Sequence, residues 1–168
     1  MTAATSLVEL THLFVSPGHD FKGRHGLGRE NYEIVDQEQI ELVAGKGIAG
    51  DRYFDYKPDF KGQITFFDEA VWLAVREQFA LPELPPSVFR RNVIVRGMDL
   101  NALIGKRFAL GELELTGSEE AKPCYWMDEA CAPGVEEFLK GKGGLRCRIV
   151  KGGLLSKGPQ ELRVLANS

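Results

Sequence analysis

The sequence has no long apolar run: nowhere do its 168 residues approach the roughly 18 consecutive apolar positions that a membrane-crossing helix requires. Net charge is small, with 21 Lys and Arg against 24 Asp and Glu for a formal −3, so no nucleic-acid or membrane partner is expected and any anion site must be local. Cysteine is scarce and odd in number, three residues, which argues for reduced thiols rather than a disulfide framework. Met1-Thr2-Ala3-Ala4-Thr5-Ser6 has neither a basic start nor an apolar stretch. No secretory signal is therefore expected, residues 1–6 read as a flexible tail, and a cytoplasmic location follows. Also missing are a G-x-S-x-G elbow, an H-E-x-x-H pair and any C-x-x-C pair, which leaves serine-hydrolase and zinc readings without support.

What is present is an ordinary globular composition, 43% hydrophobic and 27% charged, in a length that suits one domain spanning residues 1–168. Nineteen glycines and eight prolines cut the chain into short segments, which favours strands over long helices. Residues 7–15, 34–43, 63–67, 92–95, the pair of segments around Gly111-Glu112, 145–149 and 162–165 read as strands. Asp68 is placed to cap a helix whose Val71, Trp72, Val75 and Phe79 share one face, and Asp99 to cap a short one that stops at Gly105. The expected architecture is α+β but mainly β: a small barrel or strongly bent mixed sheet decorated with short helices. Residues 19–29, polar, basic and glycine-rich, read as a long surface loop in which His25 beside Arg24 is a candidate binding residue.

Gly45-Lys46-Gly47-Ile48-Ala49-Gly50 matches the G-x-G-x-x-G spacing of dinucleotide sites, but the residues that follow contain Pro58 and no apolar stripe. Without a helix to receive a pyrophosphate, the segment reads as a turn or as the glycine-lined edge of a ligand site. Cys124 is the most informative residue. In Lys122-Pro123-Cys124-Tyr125-Trp126 it is expected at a helix start, where free amides and Lys122 favour thiolate over thiol, giving a nucleophile or soft metal ligand; the plainer alternative is a buried apolar cysteine. Cys131 lies two helical turns on, about 10 Å along an axis, and reads as structural or as a resolving thiol. Cys147 alternates with Arg146 and Arg148 and reads as core. Phe89-Arg90-Arg91-Asn92 and the Lys140–Arg146 run offer guanidinium and backbone donors suited to phosphate or carboxylate. Tyr53, Phe54, Tyr56 and Phe60 form an aromatic group that either packs or stacks on a flat ring.

Taken together, Gly47-Ile48-Ala49-Gly50-Asp51-Arg52, Gly62-Gln63-Ile64, Phe89-Arg90-Arg91-Asn92-Val93-Ile94-Val95 leading into residues 97–105, Pro123-Cys124 and Gly143-Gly144-Leu145-Arg146 resemble the MOSC domain, the family named after the C-terminal domain of molybdenum cofactor sulfurase. The resemblance spans nearly the whole chain and is similar to a stand-alone bacterial member. It implies a small β-barrel whose cysteine, here Cys124, faces a pocket for a molybdenum–pterin cofactor (molybdopterin), either ligating molybdenum or carrying sulfur. Arg90, Asn92 and Arg146 are then candidates for holding the pterin phosphate, with Gly47, Gly50, Asp51, Arg52, Lys122 and His25 shaping the pocket. One departure stands out: where members resembling stand-alone reductases carry His-Gly-Gly, this chain has Phe60-Lys61-Gly62-Gln63-Ile64, which weakens an expectation of reductase activity on N-hydroxylated substrates. With no cysteine-desulfurase segment in these residues, a desulfurase or an electron-transfer protein is the expected partner. Three functions follow: a cofactor-binding protein with a reactive cysteine, a molybdenum-dependent reductase of N-hydroxylated or S-oxidised small molecules, and a metal-free binder of phosphorylated ligands in which Cys124 is structural.

Overall fold

The structure, a computed structural model, describes residues 5–16 and 34–166. In chain order its strands are β1 (Thr5–Val15), β2 (Val35–Asp36), β3 (Gln39–Val43), β4 (Gly47–Ile48), β5 (Ile64–Asp68), β6 (Val93–Arg96), β7 (Arg107–Leu110), β8 (Leu113–Glu120), β9 (Leu145–Lys151), β10 (Gly153–Ser156) and β11 (Gly158–Val164). Three helices, α1 (Glu69–Gln78), α2 (Trp126–Ala130) and α3 (Val135–Phe138), and two 3-10 turns, Pro86–Phe89 and Asn101–Leu103, join them. Among the described residues no helix is long and apolar enough to cross a membrane.

Seven strands close on themselves in the order β11-β7-β8-β9-β5-β6-β1, the last pairing back to β11, so the sheet is a barrel. Closure removes the unpaired edges that an open sheet would present. Every pairing in this ring is antiparallel except β5 with β6. A parallel neighbour needs a crossover, and α1 supplies it. Asp68 accepts a hydrogen bond from the Ala70 N–H at 2.9 Å and starts that helix at the residue where the strand stops.

Alternation drives the interior. Val8 and Leu10 of β1, Phe108 and Leu110 of β7, Leu113 and Leu115 of β8, and Leu145, Cys147 and Ile149 of β9 all point inward and form one apolar cluster. Cys147 is completely buried there, which pushes its thiol well above the ordinary range. A second cluster, built on Phe67, Val75, Phe89, Trp126, Met127, Val135 and Leu139, packs the helices on the outside of the barrel. Stacked Phe67 and Phe89 rings, 4.4 Å between centroids, mark its centre.

Three expectations change. Thr5 and Ser6, expected in a tail, pair with Arg163 and Leu162 as the first rungs of the β1–β11 ladder. Residues 34–43, expected as one strand, divide: β2 pairs with β1, whereas β3 joins β10 and β4 in a separate three-stranded sheet. The break follows Asp36, whose carboxylate accepts from the Leu13 N–H at 3.1 Å and pairs with His12 and Lys157. Asp99 accepts from the Ala102 N–H, but the short element is a 3-10 turn with Leu100 at its cap position.

Candidate functional site

A cavity of about 360 Å³ opens at one side of the barrel, between the loop after β4, the start of β6, the end of β8 and β9. Four arginines reach it, Arg52, Arg90, Arg91 and Arg146, together with Lys122; two carboxylates, Glu119 and Glu120, complete the charged lining. Tyr53, Phe60, Gly62, Thr65 and Ala121 form the remaining wall.

Arg52 is placed by its neighbour. The buried Asp51 carboxylate accepts from the Ser16 N–H (3.1 Å), the Tyr53 N–H (3.3 Å) and Arg52 Nη1 (3.2 Å), which brackets the loop against the end of β1. Arg52 Nη2 donates to the Arg90 carbonyl at 3.0 Å, while its Nε is buried with no hydrogen-bond partner among the described residues. Gly47 and Gly50 do not line the cavity; at φ values of +134° and +86° they turn the chain into the Asp51 bracket. Thus Gly47, Gly50 and Asp51 act on the cavity through Arg52, and no helix follows the glycines to hold a dinucleotide.

Arg90 sits in the left-handed region (φ 58°) at the end of the Pro86–Phe89 turn, with its neighbour Arg91 also on the cavity wall. Arg91 donates to three carbonyls, Phe89 (3.0 Å), Gly143 (3.0 Å) and Ala121 (2.8 Å), and among the described residues to no carboxylate. Burial drives its pKa down to about 10; Cys124, the next contributor, opposes that fall as a nearby negative group. Arg146 pairs with Glu119 and lies 5.1 Å over the Phe60 ring, in a space that exists because residue 62 is glycine: a Cβ there would sit 2.8 Å from Arg146 Nε. Phe60 in turn stacks on Tyr53, 5.2 Å between centroids.

Asn92 is not on the cavity surface. It is buried, its Oδ1 accepts from Thr65 N–H (2.9 Å) and Thr65 Oγ1 (3.0 Å), and its Nδ2 donates to the Phe14 carbonyl (3.2 Å). The Lys140–Arg146 run is likewise mostly structural. Gly143 and Gly144 are buried because Ala121 and Phe66 carbonyls pass 2.3 Å from where each Cβ would stand. His25 lies outside the described residues.

Cys124 is half-buried, two positions beyond the cavity-lining Lys122, and packs against the helical apolar cluster. It precedes the helix cap Tyr125 rather than entering the first turn, and α2 has only five residues. The helix-start setting expected from the sequence is therefore not the one that the structure gives Cys124. Cys131 ends α2, where burial and Asp128 raise its thiol to about 11. Sequence reading missed Thr65, Glu119, Glu120 and Ala121. The first is an unremarkable strand threonine, and the others close a strand whose acidic end reads as a solvated edge.

The described residues thus define a small closed β-barrel with a cation-rich cavity near a Pro-Cys segment. Residues 49–160, well over half of the chain, match the model of the MOSC domain family, so the chain belongs to that family, which is associated with the molybdenum cofactor. Solved structures agree on the fold. The YUAD protein of Bacillus subtilis is 18% identical with a TM-score of 0.74, covering 98% of this chain and 100% of its own. YiiM of Geobacillus stearothermophilus is 12% identical at 0.65, covering 95% and 75%. YiiM of Escherichia coli is 17% identical at 0.64, covering 95% and 71%. No curated protein matches the chain.

Proposed function

We propose that the cavity holds a molybdenum–pterin cofactor and that Cys124 is the protein's sulfur ligand or sulfur carrier at that site. The observation that carries this reading is the convergence of Arg52, Arg90, Arg91, Arg146 and Lys122 on the wall of one cavity. Among the described residues no group of three or more His, Cys, Asp or Glu side chains is placed to hold a bare metal ion. A cavity lined by several cations, with a thiol two positions beyond Lys122, suits a metal that arrives already chelated by an anionic organic group. Arg52, Arg90 and Lys122 would hold the anionic end, and Tyr53 with Phe60 would face the flat ring. When bound, such a cofactor supplies two-electron oxygen- or sulfur-atom transfer at molybdenum. The chain's own part is to orient the ring, screen its negative charge and present Cys124. Persulfide on Cys124 would require a desulfurase partner, and turnover an electron donor.

The test is to produce wild type and Cys124→Ser with the cofactor supplied and to measure molybdenum, pterin and intact mass. The reading requires molybdenum loss, or loss of a sulfur-adduct mass, in the serine variant. Equal metal and no adduct in both removes the cysteine from the chemistry. A second reading is favoured by the absence of Cys124 from the cavity lining. In it the cations bind a phosphorylated small molecule without metal, and Cys124 is structural. Phosphate-ligand binding unchanged in Cys124→Ser, with no molybdenum in wild type, selects it.

A further inference from the structure

Thr65 and Asn92 carry a specificity that the cations do not explain. The Asn92 amide orientation is fixed by its partners: one side faces the Phe14 carbonyl, an acceptor, and the other faces the Thr65 N–H, a donor. The atom facing Thr65 must therefore be Oδ1, which can only accept. Its 3.0 Å contact with Thr65 Oγ1 is then a bond that the hydroxyl donates. The Asn92 backbone N–H, also 3.0 Å away, donates to the same oxygen. A hydroxyl has one proton and two lone pairs, so Thr65 keeps a single lone pair and no proton to offer.

We infer that Thr65 is a fixed, neutral hydrogen-bond acceptor in the cavity, with Asn92 as its positioning residue, and that it reads an N–H donor on the bound heterocycle. The two carboxylates of the wall already have partners, Glu119 with Arg146 and Lys61 and Glu120 with the Gly143 N–H, and its cations recognise negative charge but cannot tell an amino-substituted ring from its carbonyl analogue. An acceptor locked by two bonds can. Facing an amino group it gains a hydrogen bond; facing a carbonyl it opposes two lone pairs without a proton between them. The inference rests on the pterin reading of the site and assigns the exocyclic amino group of that ring to Thr65.

The experiment titrates the purified full chain with two fluorescent probes that share a carboxylate and a bicyclic ring, pterin-6-carboxylate and lumazine-6-carboxylate; the second replaces the amino group with a carbonyl. Wild type is expected to bind the pterin about tenfold more tightly. Thr65→Ser, which keeps the hydroxyl, is expected to retain that ratio, and Thr65→Val to bring it close to one. A wild-type ratio near one, no saturable binding of either probe, or a valine variant that keeps the preference each overturns the inference. The wild-type ratio decides the matter even where the valine variant does not fold. Failure of the broader reading looks different: a protein that never carries molybdenum yet shows the ratio and its loss leaves Thr65 in this role. Molybdenum carried with an unchanged ratio in Thr65→Val removes the Thr65 assignment alone.

Discussion

Replacing Arg91 with methionine tests whether one buried guanidinium holds the cavity wall together. Its three carbonyl partners belong to three separate segments: Phe89 before β6, Ala121 after β8 and Gly143 before β9. Each carbonyl left without its donor costs about 1–3 kcal/mol. Burial of the charge works in the opposite direction. It depresses the arginine pKa to about 10, a penalty of about 3 kcal/mol that an apolar side chain relieves. The carbonyls win, and Arg91→Met is expected to destabilise by about 2–4 kcal/mol, lowering the melting temperature by about 5–15 °C for a domain of this size. Arg91→Lys is expected to be no better, because the ammonium keeps the buried charge without the planar fan that spans three acceptors. Thermal melts of the three proteins settle the point. A methionine variant within about 2 °C of wild type would refute the reasoning, as would a lysine variant that restores full stability, since charge alone would then be sufficient.

Gly62→Ala places a Cβ 2.8 Å from Arg146 Nε, at a φ outside the left-handed region. The flexible guanidinium is expected to yield rather than the backbone, leaving the melting temperature nearly unchanged while pterin-6-carboxylate affinity falls about tenfold in the same fluorescence titration. Burial alone raises the Asp36 carboxyl, but hydrogen bonds from His12, Lys157 and the Leu13 N–H outweigh it and hold the group below the usual carboxylate range. Its stabilising effect is present above about pH 4 and is lost as pH falls through the lower folded value. Urea midpoints measured below pH 4 are accordingly expected to fall more steeply for wild type than for Asp36→Asn. Cys147 is fully buried and the Cys131 thiol is raised to about 11, so a thiol reagent at pH 8 is expected to show one fast-reacting group. That fast phase should vanish in Cys124→Ser, and all three thiols should react once the chain is unfolded.

Strand positions were legible because alternation is a local signal. Leu145, Cys147 and Ile149 announce an inward face, and Leu162 announces the strand that closes the ring. Asp68 marked the helix start for the same reason, a side chain acting on the next few amides. The divided segment at residues 35–43 was not legible, because its break depends on His12 and Lys157, distant in sequence from Asp36. At the site, Arg90 and Arg146 stand out in the sequence as guanidiniums in donor-rich segments, Arg52 through the family resemblance and Lys122 as the cation next to Cys124; all four line one cavity. Asn92 was chosen for the same cavity but stands behind Thr65, a relation visible only when β5 and β6 pair in parallel. Asp51 reads as a pocket residue until its carboxylate is seen bracketing Ser16 and Arg52. The helix end expected at Cys124 is not there, because α2 begins at Trp126 and the cysteine packs against the helical apolar cluster instead.

The most direct test is the molybdenum and pterin content of the chain purified from a host that synthesises the cofactor, compared with Arg52→Met made alongside it. The account predicts both components together in wild type and a clear fall of both when this cavity-lining guanidinium is removed. Wild-type protein holding neither above the level of an unrelated control would contradict it.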